Sequence, residues 1–126
     1  VTFFWVSYWV CKKGPRGITE KYYDCMKQAL GMIERAECIS SEENRQDARL
    51  NDSYRKLIRL LKVDRKQYLI EAQREWVVLR EKDATFEASL FENTQTENIA
   101  GAEREVFYIA ERADLIQEWL DMTKAD

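Results

Sequence analysis

The 126-residue chain predicts an all-α fold: a small bundle of about four helices, the third and fourth of them long. Three observations predict it. One proline and four glycines leave little punctuation for short strands, which need a turn signal about every 8–12 residues. Apolar residues recur at three- and four-residue spacing from Tyr23 to Leu120. Helix-start signals, a capping residue followed three positions later by Glu or Gln, stand ahead of these stripes.

The elements follow in order. Residues 1–17 read as an apolar N-terminal segment, "VTFFWVSYWVC", with the basic linker "KKGPRG" behind it, and residues 18–126 as the helical domain. The chain begins at Val1, so a segment upstream is expected. The apolar run falls short of the roughly 20 residues a bilayer-spanning helix needs. It reads as the remnant of a signal or anchor, with membrane association through residues 1–11 as one use, or as a segment that packs on the domain. Thr19 caps a first helix from about Glu20 to Ala36, with Tyr23, Met26, Leu30 and Ile33 along one side. "CISSEEN" breaks that pattern, and Ser40 with Glu43 opens a second helix to about Lys62, striped by Leu50, Tyr54, Leu57 and Leu61. Asp64 with Gln67 opens a third, unbroken to Phe91, with Leu69, Ala72, Trp76, Leu79 and Phe86 as its inner face. After the polar "ENTQTEN", Thr94 with Glu97 opens a fourth that ends near Met122 and carries Ile99, Val106, Ile109, Ala113, Ile116 and Leu120.

With 45% apolar and 34% charged residues the chain is globular, and its length suits one domain. The net charge of −3 hides an asymmetry. Residues 1–63 hold 12 Lys/Arg against 8 Asp/Glu, and residues 64–126 hold 8 against 15. Eleven acids fall within 81–121 beside Lys82, Arg104 and Arg112. Such a half argues against nucleic acid and suits a basic protein partner, although acids also line the wet faces of ordinary amphipathic helices.

Chemistry is sparse. Without histidine there is no Ser-His or Cys-His nucleophile pair and no histidine-based zinc site, and three cysteines fall short of a four-thiolate site. No glycine-rich phosphate loop occurs. The chain is read as a non-enzyme with no cofactor and no metal. Cys25 and Cys38 have twelve residues between them, wider than a C-x-x-C redox pair. Spacing alone leaves a disulfide and two reduced core thiols equally open.

Other residues add a resemblance. "DC" at 24–25 and "AEC" at 36–38 precede Asp47, Leu50, Asn51 and Tyr54, and "AQREW" at 72–76 with Arg80 follows. The order C-x12-C-x8-D-x2-LN-x2-Y, then AQ-x2-W-x3-R, resembles the LprI-like lysozyme-inhibitor family of small secreted bacterial helical domains, over about Asp24 to Trp119. The resemblance implies an exported, periplasmic or secreted protein, stapled by a Cys25–Cys38 disulfide near the first and second helices. It also implies a second disulfide that is missing: Ala84 stands where the family carries a cysteine, and no cysteine follows Cys38. The third and fourth helices are then expected to be joined by packing alone, with Cys11 as the odd thiol.

Asp47, Leu50, Asn51, Tyr54, Gln73, Trp76 and Arg80 are read as a helix-locking set, with a polar ligand groove as the competing reading. The function implied is protein binding that blocks a lysozyme-like hydrolase. Phe91, Glu92, Asn93, Thr94, Gln95 and Glu97 form the expected contact tip. The competing function is an envelope immunity or adaptor protein that binds a secreted toxin or an envelope complex.

Overall fold

The computed structural model describes residues 14–91 and 94–125, apart from the side chain of Gln95. Residues 1–13, with Cys11 and the apolar segment, lie outside them, as do Glu92 and Asn93. The described residues form four helices and no strand: α1 (Glu20–Gln28), α2 (Met32–Leu60), α3 (Val63–Ser89) and α4 (Gln95–Ala125).

Thr19 caps α1 as expected, its Oγ1 accepting from the Tyr22 amide at 3.3 Å. The helix stops at Gln28 rather than Ala36. Ala29 turns extended, Leu30 is 92% exposed, and Gly31 sits at the N-cap of α2. The break therefore falls at 29–31, and Ser40 and Glu43 lie within α2 instead of capping it. The disulfide gives the physical reason. Cys25 and Cys38 have Cα atoms 5.8 Å apart, whereas a continuous helix would hold them about 20 Å apart at 1.5 Å per residue. A reversal must lie between them, and Gly31 is the weakest helix former in the interval.

Helix α3 begins at Val63 with Lys62 at its N-cap, so Asp64 sits in the first turn, where it favours the positive end of the helix dipole without capping it. Helix α4 starts as the sequence predicts, with the Glu97 amide donating to Thr94 Oγ1 at 3.1 Å.

Helices α2 and α4 run parallel. Arg49 meets Asp114, Ser53 meets Gln117, and Leu57 shares a cluster with Leu120, a constant offset near 64 residues. Their interface is the backbone of the fold, and α3 is the return stroke between them. At the α1 end, Ile18, Tyr22, Cys38, Ile39, Val106 and Ala110 form one apolar cluster. Toward the far end, Leu50, Leu57, Leu69, Ile109, Ala113, Ile116 and Leu120 form another. The small side chains of Ala110 and Ala113, both fully buried, let the two helices approach closely.

The inner face of α2 also carries polar residues, two between the clusters and one within the second. Glu42, Gln46 and Ser53 are buried. Glu42 accepts from the Thr19 amide (2.8 Å), Thr19 Oγ1 (2.7 Å), Arg45 Nε (2.6 Å) and Gln46 Nε2 (2.8 Å). Gln46 also donates to the Gly17 carbonyl at 2.8 Å and accepts from Arg49, which in turn pairs with Asp114 at 2.8 Å. Residues 14–19 are thus tied across α2 and α4. Gly17 has no side chain because a Cβ there would run into the Arg49–Asp114 pair.

Helix α3 departs most from expectation. Of its predicted inner face only Leu69 is buried and Trp76 half-buried, while Ala72, Leu79 and Phe86 face solvent. The side turned to α4 carries Gln73, Trp76, Arg80 and Glu87, a polar and ionic seam.

Candidate protein-binding hairpin

The seam between α3 and α4 gathers one half of the sequence-singled residues. Trp76 stacks on Tyr108, with ring centroids 5.7 Å apart and planes 14° from parallel. The Arg80 and Arg112 guanidinium carbons lie 5.7 and 5.6 Å from the Trp76 ring centre, and Arg112 is 5.3 Å from that of Trp119. Arg112 donates to Gln73 at 3.0 Å, and Arg80 pairs with Glu105 at 2.5 Å. Gln73, Trp76 and Arg80 thus all engage α4, one turn apart on one face. Burial pulls the Arg112 guanidinium below its ordinary pKa, with Tyr108 acting the other way. One buried nitrogen, Nη2, lacks a hydrogen bond, and the two indole faces supply cation–π attraction in its place.

The α2 half of the set lies on the other side of the apolar cluster. Leu50 is buried and Tyr54 packs against the same cluster, Asp47 is half-buried, and Asn51 is exposed. The two halves meet through apolar contacts, since Tyr54 and Trp76 both pack against the cluster that holds Leu50, while Gln73 and Arg80 turn to Arg112 and Glu105 on α4.

Replacing Trp76 with alanine removes the platform under both arginines. The expected loss is about 2 kcal/mol for a half-buried aromatic, less than for a core tryptophan. A lowered urea midpoint with faster amide exchange in α3, and unchanged exchange in α1, is the expected signature; equal acceleration in both helices would count against it.

Toward the α3–α4 turn the seam becomes ionic. Glu87 pairs with Arg104, whose guanidinium holds the carboxyl below its usual range against the upward push of burial, and Tyr108 Oη donates to Asp83 at 3.5 Å. Beside these pairs lies a cleft of about 390 Å³ lined by Ala84, Ala88, Phe91, Asn98 and Gly101 with Glu87, Glu97 and Glu105 at its edge. Ala84 faces open space here, and a Cβ at Gly101 would meet nothing within 4 Å. The helices are therefore joined by ion pairs and aromatic stacking, not by packing alone.

Of the expected contact tip, Phe91 and Thr94 are exposed and Glu97 is half-buried at the cleft. Glu92, Asn93 and the Gln95 side chain lie outside the described residues. Among the described residues no group of three His, Cys, Asp or Glu side chains is placed to hold a metal ion, and no helix is long and apolar enough to cross a membrane.

Sequence reasoning missed the Glu42–Gln46–Arg49 network. Its signal was present: positions 39, 42, 46, 50, 53 and 57 keep one helical stripe, but three of them are polar.

Among known families, the profile described as Lysozyme inhibitor LprI matches residues 25–121. No curated protein and no solved structure matches the chain significantly.

Proposed function

The chain belongs to the LprI lysozyme-inhibitor family, and from that premise we propose that it is an exported protein that binds a lysozyme-like hydrolase and blocks its cleft. The acidic α3–α4 hairpin carries the reading. Residues 81–121 hold eleven acids, and of the three basic residues there, Arg104 is paired to Glu87 and Arg112 is turned between two indoles. Glu105, Asp114 and Glu118 are paired to Arg80, Arg49 and Arg16, and the remaining acids still outnumber the bases, an excess that attracts a basic enzyme over a distance. At its end the apolar cleft and the exposed Phe91 supply a contact that long-range attraction alone does not give. Phe91, Glu92, Asn93, Thr94, Gln95 and Glu97 are the proposed contact residues. The Cys25–Cys38 bond supports an oxidising compartment, periplasmic or extracellular.

Lysis of peptidoglycan by a basic lysozyme is expected to fall as the protein is added, and the inhibition to weaken in high salt. Phe91→Ala is expected to weaken it by about ten-fold, the loss of one contact worth roughly 1.4 kcal/mol. Undiminished lysis at a large molar excess over several lysozyme types would refute the proposal.

A further inference from the structure

Helix α3 carries an apolar stripe that is largely exposed in the monomer. Tyr68 is 70% exposed, Leu79 52%, Phe86 63% and Leu90 61%, and Ala72 is exposed between them. These residues share one side of the helix, because positions 7 or 11 apart differ by only about 20° around an α-helix. They lie roughly a quarter-turn from the side that meets α4.

The stripe is also palindromic about Leu79. Ala72 and Phe86 stand seven residues to either side, and Tyr68 and Leu90 eleven. A two-fold axis through Leu79 therefore lays the stripe on itself, antiparallel. Leu79 meets Leu79 of the second copy, Phe86 fills the space over Ala72, and Leu90 reaches Tyr68. Tyr68 lines a groove of about 350 Å³ with Leu57, Leu61, Trp119 and Met122, which lies where the end of the second α3 arrives.

Charge decides between occupants. Glu75 and Lys82 lie on one edge of the stripe, both exposed. Neither has an opposite charge three or four residues away on α3. Under the same two-fold, Glu75 comes to Lys82 of the second copy and Lys82 to its Glu75, so each charge is paired once and the ion pair forms twice across the interface. An apolar bilayer would leave both unpaired, and a basic hydrolase would repel Lys82.

We propose that α3 is a self-association surface through which two copies of this chain form an antiparallel, isologous dimer centred on Leu79. A single helix pair buries little, below about 1,200 Å² in total, so the dimer is reversible and concentration-dependent. The stripe is about 33 Å long and runs beside the acidic seam, which leaves the α3–α4 cleft of each copy open.

Sedimentation velocity on the protein with Cys11→Ser tests this across a concentration series. The mass is expected to rise from the 15.0 kDa monomer towards twice that value. Leu79→Glu, an exposed change that leaves circular dichroism unaltered, is expected to hold it at the monomer. Glu75→Lys and Lys82→Glu are each expected to weaken association by roughly ten-fold, and the double reversal to restore it. Leu79→Cys is expected to cross-link two copies on mild oxidation, whereas Val77→Cys, on the opposite side, is not. A monomer at every concentration, or a dimer indifferent to Leu79→Glu and to the charge reversals, would overturn the proposal. Weaker binding of Leu79→Glu to lysozyme or to anionic vesicles, with a monomeric parent, would overturn it in favour of another occupant.

Discussion

Replacing Cys25 and Cys38 together by serine, with Cys11 also serine, is expected to lower stability by about 3 kcal/mol and the melting temperature by on the order of 10 °C. The bond closes a span of 13 residues that contains the α1–α2 reversal. Without it that span is free in the unfolded chain, and the folded chain must pay the full entropy of closing it. The reversal has little else to hold it. Leu30 and Ile33 are exposed, and α1 is anchored by Tyr22 and the half-buried Tyr23 and Met26. Tyr22 is the stronger anchor: it is buried edge-on to Phe107, donates to Glu103, and has its hydroxyl pKa raised by burial and then by that carboxylate. Thermal unfolding by circular dichroism, with the oxidised parent as reference, checks the loss. Reducing the parent is expected to reproduce it, and a double variant that melts with the parent would contradict it.

Replacing Glu42 with alanine is expected to cost about 3 kcal/mol, because it takes the acceptor from the buried Gln46 amide and from the part-buried Thr19 and Arg45 donors. The carboxylate is 0% exposed and accepts four hydrogen bonds, two of them from Thr19 at the start of α1. Glu42→Gln is expected to cost less, since one oxygen still accepts. The two variants also separate by pH. Burial pushes the Glu42 carboxyl up, but the hydrogen bonds from Thr19, Arg45 and Gln46 outweigh it and leave its pKa below the ordinary 4.5. A depressed folded pKa stabilises the ionised state. The contribution is therefore whole above about 4.5 and fades as pH falls through the lower folded value. Urea midpoints measured across that acid range are expected to drop more steeply for the parent than for Glu42→Gln. Parallel curves would show that Glu42 is not the group responsible.

Helix α4 was the most legible element, since Val106, Ile109, Ala113, Ile116 and Leu120 are apolar, regularly spaced and all buried. Its stripe is read correctly because one physical effect, burial of apolar area, governs every position. The reversal at Ala29–Gly31 was hidden by a continuous apolar spacing through Leu30 and Ile33 that tertiary structure ignores. The disulfide and a helix to Ala36 were incompatible expectations, and reach along a helix decides between them. Helix α3 misled for another reason. It has apolar residues on more than one side, and the side that packs is chosen by Trp76, Gln73 and Arg80, whose partners Tyr108, Arg112 and Glu105 lie about 25–39 residues away in sequence. No local pattern encodes a stacking partner at that distance. The α3–α4 hairpin was legible as acidic sequence, while the cleft beside Phe91 depends on two small residues, Ala84 and Gly101, that leave space between facing helices.

The parallel pairing of α2 with α4 has a consequence for how the molecule comes into being. Both apolar clusters need residues from the final stretch, Val106 and Ala110 for one and Ile109 to Leu120 for the other. A nascent chain that ends anywhere before Val106 has made three helices but lacks the α4 half of both clusters. Closure of the loop through α3 is long-range and late, which slows folding relative to a bundle of sequential hairpins. Neither cluster is therefore complete until α4 has been synthesised.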